Sequence, residues 1–71
     1  MNWDDLRFFL ALAREGTVSA AGRALEVKHT TVARRVAAFE EQLGSRLFDR
    51  MPSGYAMTQV GENLMPHALG M

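Results

Sequence analysis

Apolar residues along this chain follow a helical period in three successive segments, change to a short extended pattern, and then return to the helical one. Between Asn2 and Gly16, Leu6, Phe9, Leu10 and Ala13 recur at i, i+3, i+4 and i+7, the spacing of one helix face. Asn2 is positioned to cap this helix, Asp4 and Asp5 suit the positive end of its dipole, and Gly16 can close it in the left-handed conformation. Thr17 then caps a shorter helix whose body is Ala20, Ala21, Gly22 and Ala24 ahead of Leu25. Glycine inside a helix costs roughly 1 kcal/mol relative to alanine, so Gly22 predicts another backbone passing close by. The third helix, residues 29–43, carries Val32, Val36, Phe39 and Leu43 at steps of four, three and four and ends at Gly44; these four form its docked side.

The pattern then shortens. Leu47 to Arg50 and Tyr55 to Met57 read as two strands joined through Pro52, Ser53 and Gly54. Thr58 caps a last helix with Val60, Leu64, Ala68 and Met71 on one side, and Pro66, which offers no N–H to the Glu62 carbonyl, predicts a bend. The order describes a mainly α fold, a winged helix-turn-helix of three helices and a two-stranded wing over residues 1–57, followed by a further helix over residues 58–71.

Composition narrows the class without choosing a partner. The 71 residues make one domain, able to bury about 60% of the unfolded chain's surface, and 48% of them are apolar, too many for a disordered chain. There is no cysteine, hence no disulfide framework and no thiolate zinc site, and two histidines far apart supply neither a metal site nor a reason to expect a cofactor. The N-terminus lacks a basic leader, no apolar run reaches the 18 or so residues of a membrane span, and a cytoplasmic protein is expected. No nucleophile–base pair, carboxylate pair or phosphate-cradling loop stands at an enzyme's spacing.

Eight basic residues balance eight acidic ones, so any case for a nucleic acid rests on where the charges sit. They are sorted along the third helix. Lys28, His29, Arg34 and Arg35 lie toward its start and Glu40 and Glu41 toward its end, which opposes the helix dipole at both ends. A recognition helix enters the major groove of double-stranded DNA by its N-terminal residues while its apolar side docks on the helices before it, and this chain has that division. Arg34 can offer a two-pronged contact to guanine O6 and N7, worth about 1 to 3 kcal/mol of discrimination. Thr30 and Thr31 can meet a base edge, a thymine methyl or a phosphate, and His29 a purine N7 or a phosphate. Lys28 and Arg35 suit phosphates. Thr17 and Ser19 can hold a phosphate with the N–H groups that start the second helix, and Arg50 and Ser53 complete the set from the wing. A neutral chain with an uncharged wing tip also fits a protein-interaction adaptor, which would show an apolar or acidic patch at residues 28–35.

At this point the sequence resembles a known family. "AREGTVSAAGRALEV", "TTVARRVAAFEEQLGSRLFDR" and "MTQVGENLMPHA" are similar to the N-terminal DNA-binding domain of LysR-type transcriptional regulators, and the likeness runs from Leu6 to Ala68. The resemblance implies a bacterial regulator that binds a pseudo-palindromic site as a homodimer. It implies that the last helix is the start of a dimerising linker, with Val60, Leu64, Ala68 and Met71 as the seam, and that a small-molecule effector is bound by a separate, larger domain absent from this chain. Some positions depart from the family pattern. Lys28 stands where a capping serine is usual, His29 replaces glutamine, Thr30 proline and Ala33 serine. Ala20 occupies a place often held by arginine, and "MPSG" lacks the basic residue at the wing tip.

Overall fold

The computed structural model describes residues 3–69; Asn2 and Met71, expected as a cap and as part of a seam, lie outside them. Three helices come first, α1 (Trp3–Glu15), α2 (Val18–Leu25) and α3 (His29–Leu43), then an antiparallel pair of strands, β1 (Phe48–Met51) and β2 (Gly54–Met57), and finally α4 (Gln59–Leu69). α2 lies against both α1 and α3, which makes the helix-turn-helix, and the strands form the wing with Phe48 opposite Met57 and Met51 opposite Gly54.

Each helix ends where its flanking residues can satisfy the free backbone groups. Thr17 accepts a hydrogen bond from the Ala20 N–H at 3.1 Å and caps α2, while Gly16 and Gly44 take positive φ at the ends of α1 and α3. Glu26 ends α2 at φ 59°, a left-handed conformation that the sequence did not announce because no glycine marks it. Gly22 is buried, and a Cβ there would approach the Val27 carbonyl, so the backbone it accommodates is that of the turn into α3.

The core is filled by Leu6, Phe9 and Leu12 of α1, Ala21 of α2, Val32, Val36 and Phe39 of α3, and Leu47 and Phe48. Phe9 is its centre, edge-on to Phe39 with ring centroids 6.4 Å apart and tilted over Phe48 at 5.5 Å, and Phe48 meets Tyr55 of the wing edge-on at 6.2 Å. Such pairs add about 0.5 to 1.5 kcal/mol each beyond burial and tie α1, α3 and the wing into one body.

Phe8, off the apolar stripe of α1, is buried in the core cluster, with Arg7 and Arg35 over its ring at 5.4 and 5.0 Å. Three expectations change. Leu43, expected on the docked side of α3, is 39% exposed, since the core ends one turn earlier at Phe39. β1 begins at Phe48 rather than Leu47, because the Leu47 N–H and carbonyl are taken by Glu40 and Thr58 and cannot join the ladder. Ala68, assigned to a seam, is only 3% exposed: it faces the chain's own core on the same side of α4 as the buried Gly61. α4 continues through Pro66 to Leu69.

Candidate nucleic-acid interface

The apolar stripe of α3 decides what the rest of the helix presents. With Val32, Val36 and Phe39 buried, Lys28, His29, Thr30 and Arg34 are exposed and Thr31 half-buried. Thr30 and Arg34, four residues apart, share one side of the helix. They line a groove of about 440 Å³ between α3 and the wing, floored by Val36, Ala37, Phe48 and Tyr55 and edged by Arg46 and Arg50. Three guanidinium groups and one carboxylate, Glu40, therefore border a single concavity. No ion pair engages Arg34 among the described residues, so its fork is available to a ligand. Arg50 lies over the Tyr55 ring at 5.7 Å, and Arg46 pairs with Asp49 at 3.8 Å with both groups largely in solvent, a contact worth at most about 1 kcal/mol.

Lys28 is the N-cap of α3, with extended backbone and no side-chain hydrogen bond to the helix start; the first turn holds no acid. The positive end of the dipole is thus left open, with a cation beside it. Restoring a cap by Lys28→Ser should raise stability by about 0.5 to 2 kcal/mol, and it should weaken binding of any polyanion by removing one charge. Thermal melts and binding isotherms of the two proteins check this; a less stable serine variant would mean that the helix start is already satisfied in another way.

Not every expected residue reaches this face. Arg35 was expected beside Arg34 on a phosphate. It is turned instead toward α1, with Nη2 3.8 Å from Asp5 Oδ1 and its guanidinium over Phe8, and the Asp5 side chain is only 13% exposed. One position along a helix rotates a side chain by about 100°, and that rotation carries Arg35 from the groove to the α1 side. Thr17 and Ser19 stand at the start of α2, with the Thr17 hydroxyl oxygen already accepting from Ala20. The wing tip is close to them, because Tyr55 donates its N–H to the Gly16 carbonyl at 2.7 Å and Gly54, at φ 140°, leaves no room for a side chain against Gly16. Met51, Pro52 and Ser53 at the tip are exposed and uncharged.

On α4, Val60 is 45% exposed and Leu64 half-buried, and with Leu43 they border an open apolar groove. The role of Glu40 was missed. Its Oε2 accepts the N–H groups of Leu47 at 2.7 Å and Phe48 at 3.0 Å, and Thr58, besides capping α4 through its bond from Gly61, donates its hydroxyl to the Arg46 carbonyl at 2.7 Å. The signal in the sequence is an acid at the negative end of a helix, a place that favours it only when donors lie nearby. No helix among the described residues is long and apolar enough to cross a membrane.

Comparison with known proteins leads to one family. The family model described as a bacterial regulatory helix-turn-helix protein of the lysR family matches residues 3–62. An uncharacterized HTH-type transcriptional regulator of Azotobacter vinelandii, in the ibpB-leuC intergenic region, is 40% identical over 68 residues, which cover 96% of this chain and 47% of that protein. The HTH-type transcriptional regulator YofA of Bacillus subtilis is 41% identical over 96% of this chain and 24% of its own length, so the chain spans less than half the length of these relatives. Among solved structures, the complex of the CbnR DNA-binding domain with DNA superposes with a TM-score of 0.94 at 30% identity, covering 99% of this chain and 80% of that one. The BenM DNA-binding domain on benA site 1 DNA gives 0.92 at 26% identity, covering 99% and 81%. With the family model matched over residues 3–62 and the helix-turn-helix and wing superposing on DNA-binding domains of this kind over 99% of its length, this chain belongs to the LysR family of bacterial regulatory helix-turn-helix proteins.

Proposed function

We propose that the chain reads double-stranded DNA for a bacterial transcriptional regulator, with α3 in the major groove. The observation that carries this reading is the exposed, cationic start of α3 on a fold that superposes on DNA-bound relatives over 99% of its length. Arg34 contacts a base, and Thr30, Thr31 and His29 contact base edges or the adjacent backbone. Lys28 neutralises a phosphate, and Thr17 and Ser19 hold one by hydrogen bonds together with the N–H groups at the start of α2. Arg50 and Ser53 approach the backbone from the wing. Arg35, held by Asp5 and Phe8, supports α3 rather than binding DNA. An adaptor would carry an apolar or acidic patch at residues 28–35, where this chain presents Lys28, His29 and Arg34 to solvent.

In this reading α4 begins a linker helix that joins two copies on a pseudo-palindromic site, with Val60 and Leu64 facing the partner and Ala68 retained in the core. The full-length regulator acts in the cytoplasm, and response to a small-molecule effector belongs to its remaining part, since the chain spans 24% of YofA. Selection from a pool of random duplex DNA tests the whole reading: it should return a motif made of two inverted half-sites. Selection that enriches no motif would sink it.

The uncharged wing makes a further expectation. Arginine at a wing tip sits in the narrow, electronegative minor groove of A·T-rich DNA and reads its width, and this chain has none there. Ser53→Arg should tighten binding, steepen the dependence of log affinity on log salt by about one, and create an A·T preference beside each half-site. Unchanged affinity at every salt concentration would show that the wing stays clear of DNA.

A further inference from the structure

Two consecutive peptide groups lie between Glu40 and Thr58. The first, Arg46–Leu47, donates its N–H to Glu40 Oε2 at 2.7 Å and accepts the Thr58 hydroxyl on its carbonyl at 2.7 Å. The second, Leu47–Phe48, donates to the same Oε2 at 3.0 Å and accepts the Thr58 backbone N–H at 2.9 Å. Both dipoles therefore point their positive ends at one carboxylate of α3 and their negative ends at the residue that caps α4. Hydrogen bonds to a charged acceptor are roughly twice as strong as neutral ones, and bonds in series polarise one another. Gly61 closes the junction: it is buried, and a Cβ there would collide with the Leu47 carbonyl. Among the described residues no other hydrogen bond joins α3 to the wing or to α4.

The charge of Glu40 has the wrong sign for the face it borders. Glu40 lines the groove shared by Arg34, Arg46 and Arg50 and repels any polyanion there. We propose that Glu40 is the positioning residue of this face, setting through those two peptide groups where the wing and the start of α4 stand relative to α3. Among the hydrogen bonds of the described residues, those of Glu40 alone then carry a shift of α4 to the recognition helix, in addition to the packing of the shared core. The inference rests on the reading of the groove as a DNA interface, but the junction can be tested apart from it.

Glu40→Gln and Glu40→Ala remove the same charge, and only glutamine keeps a carbonyl oxygen that can accept both N–H groups. Measured on random-sequence duplex DNA, well below the melting temperature of each protein, Glu40→Gln should bind at least as tightly as the unmodified chain. Glu40→Ala should bind about tenfold more weakly than Glu40→Gln, the order expected when two partly buried donors lose their acceptor. Equal affinity of the two variants would overturn the proposal. Amide hydrogen exchange gives a second reading on the unmodified chain that survives failure of the alanine variant to fold. Leu47 and Phe48 should be protected to the same degree as the core of α3, and exchange at the rate of free peptide would equally reject the junction. If the unmodified chain binds no duplex, the proposed function fails while the exchange data still decide the role of Glu40.

Discussion

Gly22→Ala should destabilise the domain by about 1 to 3 kcal/mol, although alanine is the better helix former. Helix propensity alone favours the substitution by roughly 1 kcal/mol. Against it, the new methyl would lie 2.7 Å from the Val27 carbonyl oxygen and 3.2 Å from the His29 nitrogen, both backbone atoms that cannot rotate away. Overpacking of this kind typically costs about 1 to 3 kcal/mol, because α2 must move off the turn as a unit. That turn ends in Lys28, the N-cap of α3, and the Val27 N–H is itself bonded to the Gly22 carbonyl at 2.9 Å. Displacement would therefore reach the exposed start of α3, and affinity for DNA should fall together with the melting temperature. Thermal melts decide the sign: an alanine variant as stable as the parent would mean that the turn relaxes without strain.

Arg34→Ala should leave stability nearly unchanged and relax specificity. The side chain is exposed and no ion pair holds it among the described residues, so truncation breaks little within the fold. On DNA it should cost about 1 to 3 kcal/mol on the preferred sequence and relax the preference at one base pair of each half-site. Lys28→Ala supplies the contrast, weakening all sequences alike and lowering the salt slope by about one. Binding-site selection with each variant separates the two roles, and an unchanged motif with Arg34→Ala would remove that residue as a reader.

The elements of this domain could be read from the chain because each is specified locally. The period of Leu6, Phe9, Val32, Val36 and Phe39, the cap at Thr17, and the glycines at Gly16 and Gly44 mark the helices and their ends wherever the segment packs. The face of α3 was legible for the same reason, since burying one stripe of a helix determines which residues remain outside.

What the chain alone did not reveal depends on residues distant in sequence. Arg34 and Arg35 are adjacent cations of the same kind, about 100° apart around α3, and the position of α1 gives that difference its meaning by setting Asp5 and Phe8 against one while the other lines the groove. Ala68 is buried because α4 lies against the core on its Gly61 side, where the lack of a side chain brings it against Leu47, and Leu43 is exposed because the core ends at Phe39. Glu40 reads as an acid misplaced on its helix dipole until the fold brings two backbone N–H groups within 3.0 Å. Periodicity determines which side of a helix is apolar, but charge, burial and hydrogen bonding at a given residue are settled by what the other elements place opposite it.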